Sequence, residues 1–309
     1  MTVTPEAVAG AAKDERLRVV FDAVQRALED QTIRHGITPE ELGHAITWVT
    51  KLAETGELLL AANMLIGIPM QDVTYGRAYA SPERDGASPW MALGPAYVAG
   101  APEIDNPGVL PMAPDEPGET LIVSGTVRST SGEPLGGAVV DLWQTNAEGW
   151  YSGISAEQAG PLRIVDHNLP KYHLRGKITT DAEGRYEYRT VVPGLESLTA
   201  PGSATAELLH RLGKATSRAR HIHANVTHDG HHMLTHQIHF ADDPLVNQVA
   251  EGAVHREMVL TTELHDDPAD YGARGPAAPY RTLTCDYVLR PIGFDEVADP
   301  YQLGGFWKV

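Results

Sequence analysis

Apolar residues recur every three to four positions over the first quarter of the chain and at every second position over much of the remainder. Leu17, Val20, Phe21, Val24 and Leu28 form one stripe between Asp14 and Asp30, which predicts an amphipathic helix. Thr38-Pro39-Glu40-Glu41 predicts the start of a second helix. The threonine hydroxyl can cap the first turn, proline suits the first helical position, and acids there face the positive end of the helix dipole. Leu42, Ala45, Ile46, Val49 and Leu52 continue that face, and a third, unusually apolar helix is predicted over 57–65, stopped by Gly67 and Pro69. Stripes this narrow need a further surface to pack on, and a second subunit is one such surface.

Between 76 and 120 proline and glycine recur, interrupted by Trp90, Leu93, Tyr97 and Val98, so an ordered connector is expected here. From Leu121 the period becomes two. Leu121–Val127 and Ala138–Gln144 read as a strand and its return around Ser131-Gly132-Glu133-Pro134. Lys177–Thr180 and Arg185–Val192 read as a second hairpin around Asp181-Ala182-Glu183-Gly184. A short helix is expected at Ala204–Leu212. Further strands are expected at 221–227, 234–240, 258–264 and 282–289. Many short strands separated by turns argue a β-sandwich or barrel. The organisation expected is a helical part at 1–75, the connector at 76–120, and an all-β part at 121–309.

Composition narrows the chemistry. The 309 residues carry 41 acidic and 24 basic side chains, a formal net charge of −17, which repels nucleic acid and anionic membrane surfaces. No apolar run reaches the ~18–20 residues that span a bilayer, and the first residues lack a basic stretch followed by an apolar core. A cytoplasmic protein without membrane insertion is expected. Cys285 is the single cysteine, which excludes an internal disulfide and thiolate metal sites. Histidine, carboxylate and phenolate remain as ligands. Ten of the 14 histidines lie between His167 and His239.

The centre of that cluster is Arg218-Ala219-Arg220-His221-Ile222-His223. In a strand, positions i and i+2 share a face, so His221 and His223 would stand side by side while Ile222 turns to the core. Two imidazoles at that spacing can hold one metal ion, although two exposed histidines would show the same spacing. Tyr151 lies in a glycine-bracketed loop after a strand, and Glu196 also follows a strand. Arg218 precedes His221 by three residues and could offset charge on an anionic substrate, and Gln237 lies on the next strand. Each of these four has an ordinary reading as a packing or surface residue.

In combination and order these residues are specific. Asp141-Leu-Trp-Gln-Thr-Asn146, Gly149-Trp-Tyr151-Ser, Leu174-Arg175 before the hairpin Thr180–Tyr186, Arg218-x-x-His221-Ile-His223, and Leu234-Thr-His-Gln237-Ile-x-Phe240 resemble the intradiol ring-cleavage dioxygenases. The catechol 1,2-dioxygenase and hydroxyquinol 1,2-dioxygenase branch is the nearest match, and Gly94–Pro102 resembles its segment before the sandwich. The resemblance implies an all-β sandwich holding a mononuclear non-haem Fe(III) between two tyrosinates and two histidines. It also implies an N-terminal helical, dimerisation-type domain able to bind a lipid between subunits. Tyr151 matches the first tyrosine and His221 and His223 the two histidines. Arg218 and Gln237 match the active-site arginine and glutamine.

The second tyrosine has no match. The family has it three residues after the proline that follows the strand, and counting from Pro193 gives Glu196; no tyrosine occurs between Tyr188 and Tyr271. Glu196 would be a hard anionic ligand of the same charge but ~6 pKa units less basic than a phenol, hence a weaker base toward a catechol. Such a site is also less selective for Fe(III), and Cu(II), Zn(II) and Fe(II) come within reach. Ala96 stands where the branch commonly has a larger aliphatic residue, leaving room for a substituted ring. The expected function is iron-dependent intradiol cleavage of a catechol- or hydroxyquinol-like aromatic by O2 to a muconate-type product. Two alternatives keep the fold: a non-oxidative or other oxygenase reaction on an enol or oxygenated aromatic, and metal or ligand binding without catalysis.

Overall fold

The computed structural model describes residues 15–67, 86–154, 168–246 and 256–292, apart from 92, 95, 198, 273–275 and 277. The start of the expected connector at 76–85, its Pro95, and the last stretch of the all-β part at 293–309 lie outside the described residues. The chain divides into two compact units, residues 1–55 and 56–309.

The first unit contains α1, Glu15–His35, and α2, Pro39–Glu54. Both follow from the sequence. The Thr38 hydroxyl accepts from the Glu41 amide at 3.2 Å, while the Glu41 carboxylate accepts from the Thr38 amide at 2.9 Å. Two amides that the first helical turn leaves without partners are thereby satisfied. The predicted stripe of Leu17, Val20, Phe21, Val24 and Leu28 is exposed.

The second unit begins with α3, Leu58–Ala62, which runs into a π-helical turn at Asn63–Gly67. Its strands are β1 (Glu103–Ile104), β2 (Gly108–Val109), β3 (Thr120–Ser129), β4 (Val139–Gln144), β5 (Arg175–Thr179), β6 (Arg185–Val191) and β7 (Glu196–Ser197). They continue with β8 (Ser217–Arg218), β9 (His221–Thr227), β10 (Leu234–Phe240), β11 (Val259–Leu260), β12 (Glu263–His265), β13 (Tyr280–Thr284) and β14 (Tyr287–Leu289). One further helix, α4, spans Ala204–Arg211. One sheet runs β1-β5-β4-β9-β10-β11 and the other β12-β13-β3-β6-β2, with β14 also on β3, while β7 and β8 pair separately. This is the expected sandwich.

Two of the expected hairpins do not form. β3 and β4 lie in different sheets, as do β5 and β6, so the turns at 131–134 and 181–184 carry the chain from one sheet to the other. A period of two says which face a strand buries, not which strand lies beside it. Two strands facing each other across a sandwich alternate just as neighbours do. Asn106 helps hold the second arch open: its Nδ2 donates to the Thr179 and Arg185 carbonyls at 3.0 and 2.8 Å. The stretches 258–264 and 282–289 are also broken. β11 and β12 belong to different sheets, and β13 and β14 meet β3 at separate registers.

The third hairpin forms as expected. β9 and β10 are antiparallel, with Gln237 opposite His223 and His239 opposite His221. Ile222, Ala224 and Val226 point into the main core between the sheets. Their neighbours His221 and His223 therefore point to the outer face of the first sheet. That face is also covered, by an apolar group of Leu60, Met64, Ala96, Trp143, Tyr151, Ile154 and Leu209. Glu57 secures part of this cover: its carboxylate accepts from the Ala204 and Thr205 amides at 3.1 and 2.8 Å, tying the start of α3 to the start of α4.

Candidate active site

Four elements bring their side chains to one point on this outer face. β9 supplies His221 and His223. The two-residue ladder β7–β8 sets Glu196 directly opposite Arg218. β10 supplies Gln237. Tyr151 comes from the loop after β4, where the Asn146 side chain accepts from the Glu148 and Trp150 amides at 3.1 and 2.9 Å and shapes the turn. Gly149 has φ +89, and a Cβ there would lie 2.1 Å from the Leu195 carbonyl oxygen. Only glycine lets the Tyr151 loop pack this closely on the Glu196 strand.

All six residues singled out from the sequence meet here. The Tyr151 hydroxyl lies 3.3 Å from Glu196 Oε2, 3.2 Å from His221 Nε2 and 3.1 Å from His223 Nε2. The two Nε2 atoms are 3.0 Å apart, and His221 Nε2 is 3.3 Å from Glu196 Oε2. Arg218 reaches Glu196 Oε2 at 3.4 Å, His221 Nε2 at 3.0 Å and Gln237 Oε1 at 3.0 Å. Tyr151, Glu196, His221, His223 and Gln237 are each no more than 2% exposed.

Burial sets the protonation of this group. It pushes both histidines well below their ordinary range, with the Arg218 charge acting in the same direction, so both rings are neutral at pH 7. His221 Nδ1 lies 2.7 Å from the Ala219 carbonyl, which can only accept. The ring hydrogen is therefore on Nδ1, and Nε2 presents a lone pair toward Tyr151, a tautomer choice typical of ligating histidines. Burial, and then Glu196, push the Tyr151 phenol well above its usual range, while Arg218 and Arg175 oppose them.

A cation fits these donors. The phenol has one hydrogen to offer and three neighbours within 3.3 Å. Five of the six separations among the four donor atoms are 3.0–3.3 Å, and in a regular tetrahedron edges of about 3.2 Å put the centre about 2.0 Å from each corner, an ordinary metal–nitrogen or metal–oxygen bond length. Among the described residues, histidine and carboxylate side chains alone make no three-membered metal cage. The Tyr151 oxygen lies within 3.3 Å of Glu196, His221 and His223 alike.

Around these residues lie others that the sequence did not assign. Trp143 stacks on His223 with ring centroids 4.6 Å apart and planes at 7°. The Tyr97 hydroxyl donates to Asp141 at 3.0 Å, and its ring meets Trp143 edge-on. His239 stacks on His221 at 5.6 Å, and neither of its nitrogens has a hydrogen-bond partner among the described residues. Its spacing of two from Gln237 was a readable signal, since it places both on one face of β10.

Known proteins share this fold. The family model described as Dioxygenase matches residues 92–291. A catechol 1,2-dioxygenase of Pseudomonas sp. strain EST1001 is 32% identical over 242 residues, covering 77% of this chain and 76% of the relative. A chlorocatechol 1,2-dioxygenase of Rhodococcus opacus is 30% identical over 250 residues, covering 79% and 89%. The solved structure of catechol 1,2-dioxygenase from Acinetobacter sp. ADP1, inhibited by bound mercury, aligns with a TM-score of 0.76 at 26% identity, over 95% of each chain. The chain belongs to the intradiol ring-cleavage dioxygenase family.

Proposed function

We propose that this enzyme cleaves a catechol-like aromatic with O2, using one iron ion held by Tyr151, Glu196, His221 and His223. The observation that carries the reading is the convergence of those four donor atoms in a buried site, five of their six separations being 3.0–3.3 Å. Ferric iron bound there supplies Lewis acidity and a redox path that makes a chelated diol reactive toward O2. The chain's own groups do the remaining work. Tyr151 provides an anionic oxygen, and His221 and His223 provide neutral nitrogens, that of His221 in a tautomer fixed by the Ala219 carbonyl. Glu196 takes the place of the family's second tyrosine. As a carboxylate it offers a weaker base for the diol proton than a phenolate does. Arg218 and Gln237 stand together at the site's edge, where they hold the diol oxygens and stabilise charge developing on the ring.

The substrate class follows from the lining and the relatives. Leu60, Met64, Ala96, Ile154 and Leu209 pack in one apolar cluster with Tyr151, surroundings that suit an aromatic ring and disfavour a charged substituent. Catechol, chlorocatechol and hydroxyquinol are the compounds to test. The products would be muconate-type dicarboxylates containing both atoms of O2. The same reading assigns the exposed stripe of α1 and α2 as a subunit contact that can bind a lipid. Light scattering at twice 33.4 kDa is the expected mass.

Oxygen uptake tests the reaction. Iron-loaded protein should consume one O2 per diol with loss of aromatic absorbance. Turnover of the diol without O2 uptake would move the assignment to the non-oxidative alternative. Glu196→Tyr restores the family's second phenol, and an added phenolate-to-iron absorption band in that variant is the expected sign that position 196 faces the metal.

A further inference from the structure

Arg175 is a buried cation that the reaction just described does not use. It is 1% exposed, at the start of β5 and opposite Trp143 on the site face of the first sheet. Its Nε and Nη2 donate to the Ser152 carbonyl at 3.2 and 2.7 Å, and Nε also reaches Ser152 Oγ at 3.2 Å. Nη1 has no hydrogen-bond partner among the described residues. The guanidinium carbon lies 5.7 Å from the centroid of the Tyr151 ring. The backbone is shaped to deliver this side chain, because the preceding Leu174 takes φ +54, the only positive φ of a non-glycine among the described residues.

A buried cation needs a compensating charge. Ser152 supplies oxygen acceptors but no anion. Two groups near Arg175 can supply one: the Asp141 carboxylate and the Tyr151 oxygen. Asp141 stands two residues from Trp143 on the same face of β4, diagonal to Arg175 across the β4–β5 pair.

We infer that Arg175 is a positioning residue that holds Tyr151 for use as an anionic ligand, and that its field, offset by Asp141, sets how strongly that phenolate donates to the metal. The inference rests on the metal-site reading above. It adds a group that touches neither metal nor substrate and acts through Ser152 and the Tyr151 ring. A cation closer to the phenolate ring than to the metal lowers the ligand's donor orbital more than the metal's acceptor orbital. Removing it should shift the phenolate-to-iron band to longer wavelength and make the ferric form harder to reduce. Removing the opposing carboxylate should do the reverse.

The experiment is the visible spectrum and ferric/ferrous midpoint potential of iron-loaded wild type, Arg175→Met and Asp141→Asn at pH 8, with Tyr186→Phe as a control for scatter. The expected result is a red-shifted band and lower potential in Arg175→Met, and a blue-shifted band and higher potential in Asp141→Asn. A purely structural role would not move the band in opposite directions. Should Arg175→Met fail to fold, Asp141→Asn decides alone. A band within the control's scatter, or shifts of the same sign in both variants, overturns the inference while leaving the metal site standing. A stoichiometrically iron-loaded wild type with no Tyr151-dependent band overturns both.

Discussion

Tyr151 and the trio Tyr186, Tyr188 and Tyr287 are equally hidden from water, at 0–2% exposure, yet they serve different ends. Burial pushes all four phenols well above their ordinary range. The trio lies between the two sheets, with Tyr186 stacked on Tyr188 and on Tyr287 at centroid distances of 6.2 and 5.7 Å. The Tyr186 hydroxyl donates to the Cys285 carbonyl at 2.6 Å, and the Cys285 thiol is itself pushed up to about 12. Among the described residues no cation acts on those rings. Tyr151, on the outer face of one sheet, has two guanidinium groups pulling against its burial and a carboxylate and two imidazoles at its oxygen. Burial alone makes a phenol inert. Burial with opposed charges suits it to bind a cation.

Breaking the functional set should have the largest effect. In His221→Ala, metal affinity should fall by more than the ~10–100-fold typical of losing an outer partner, with activity lost in parallel. Equilibrium dialysis followed by elemental analysis reads this. Chelation of the wild type should abolish turnover, and added iron should restore it.

Arg218→Ala should sharpen the contrast by sparing the metal. Arg218 contacts both Glu196 and Gln237. Its loss should leave bound iron near wild-type content and lower kcat/KM by about 10²–10³-fold, the usual scale for removing a preorganised charge donor. Steady-state kinetics on metal-quantified protein distinguishes this from ligand loss.

The buried histidines predict an acid limb in stability. Burial, then Arg218, lowers His239 to about 3, below the ordinary ~6.5 of the unfolded chain. In that window the unfolded state binds the proton and the folded state does not. Stability of the metal-free protein should therefore be flat above pH ~6.5 and fall as pH drops toward 3. His239→Leu should reduce the slope by up to about 1.4 kcal/mol per pH unit. Urea midpoints at several pH values measure it.

Tyr186→Phe should have the smallest effect. It removes one hydrogen bond to the Cys285 carbonyl and should cost about 1 kcal/mol of stability, with metal content unchanged. Thermal or urea unfolding reads the loss.

Much of this was legible in the residues. The spacing of Ile222 between His221 and His223 gave the buried face and the site face of β9 correctly, and the capping residue Thr38 marked the start of α2. Counting three residues from Pro193 led to Glu196, and the carboxylate does lie 3.3 Å from the Tyr151 hydroxyl. The pairing of strands was not legible. The arches after β3 and β5 have ordinary hairpin chemistry, and only the partner strands reveal that they cross between sheets. β7 and β8 are two residues each, too short to carry any period, although their register is what sets Glu196 against Arg218. Arg175 stood within a quoted motif, but its meaning depends on a contact with Tyr151 made 24 positions away in the chain.

The central claim is that a buried phenol becomes a metal ligand at Tyr151 and nowhere in the tyrosine trio. The measurement is iron content with a visible absorption spectrum for wild type, Tyr151→Phe and Tyr186→Phe. The account predicts about one iron per chain in the wild type and a broad visible band that survives Tyr186→Phe and vanishes in Tyr151→Phe. A colourless wild-type protein that takes up zinc or copper but no iron, or a band indifferent to Tyr151→Phe, would contradict it.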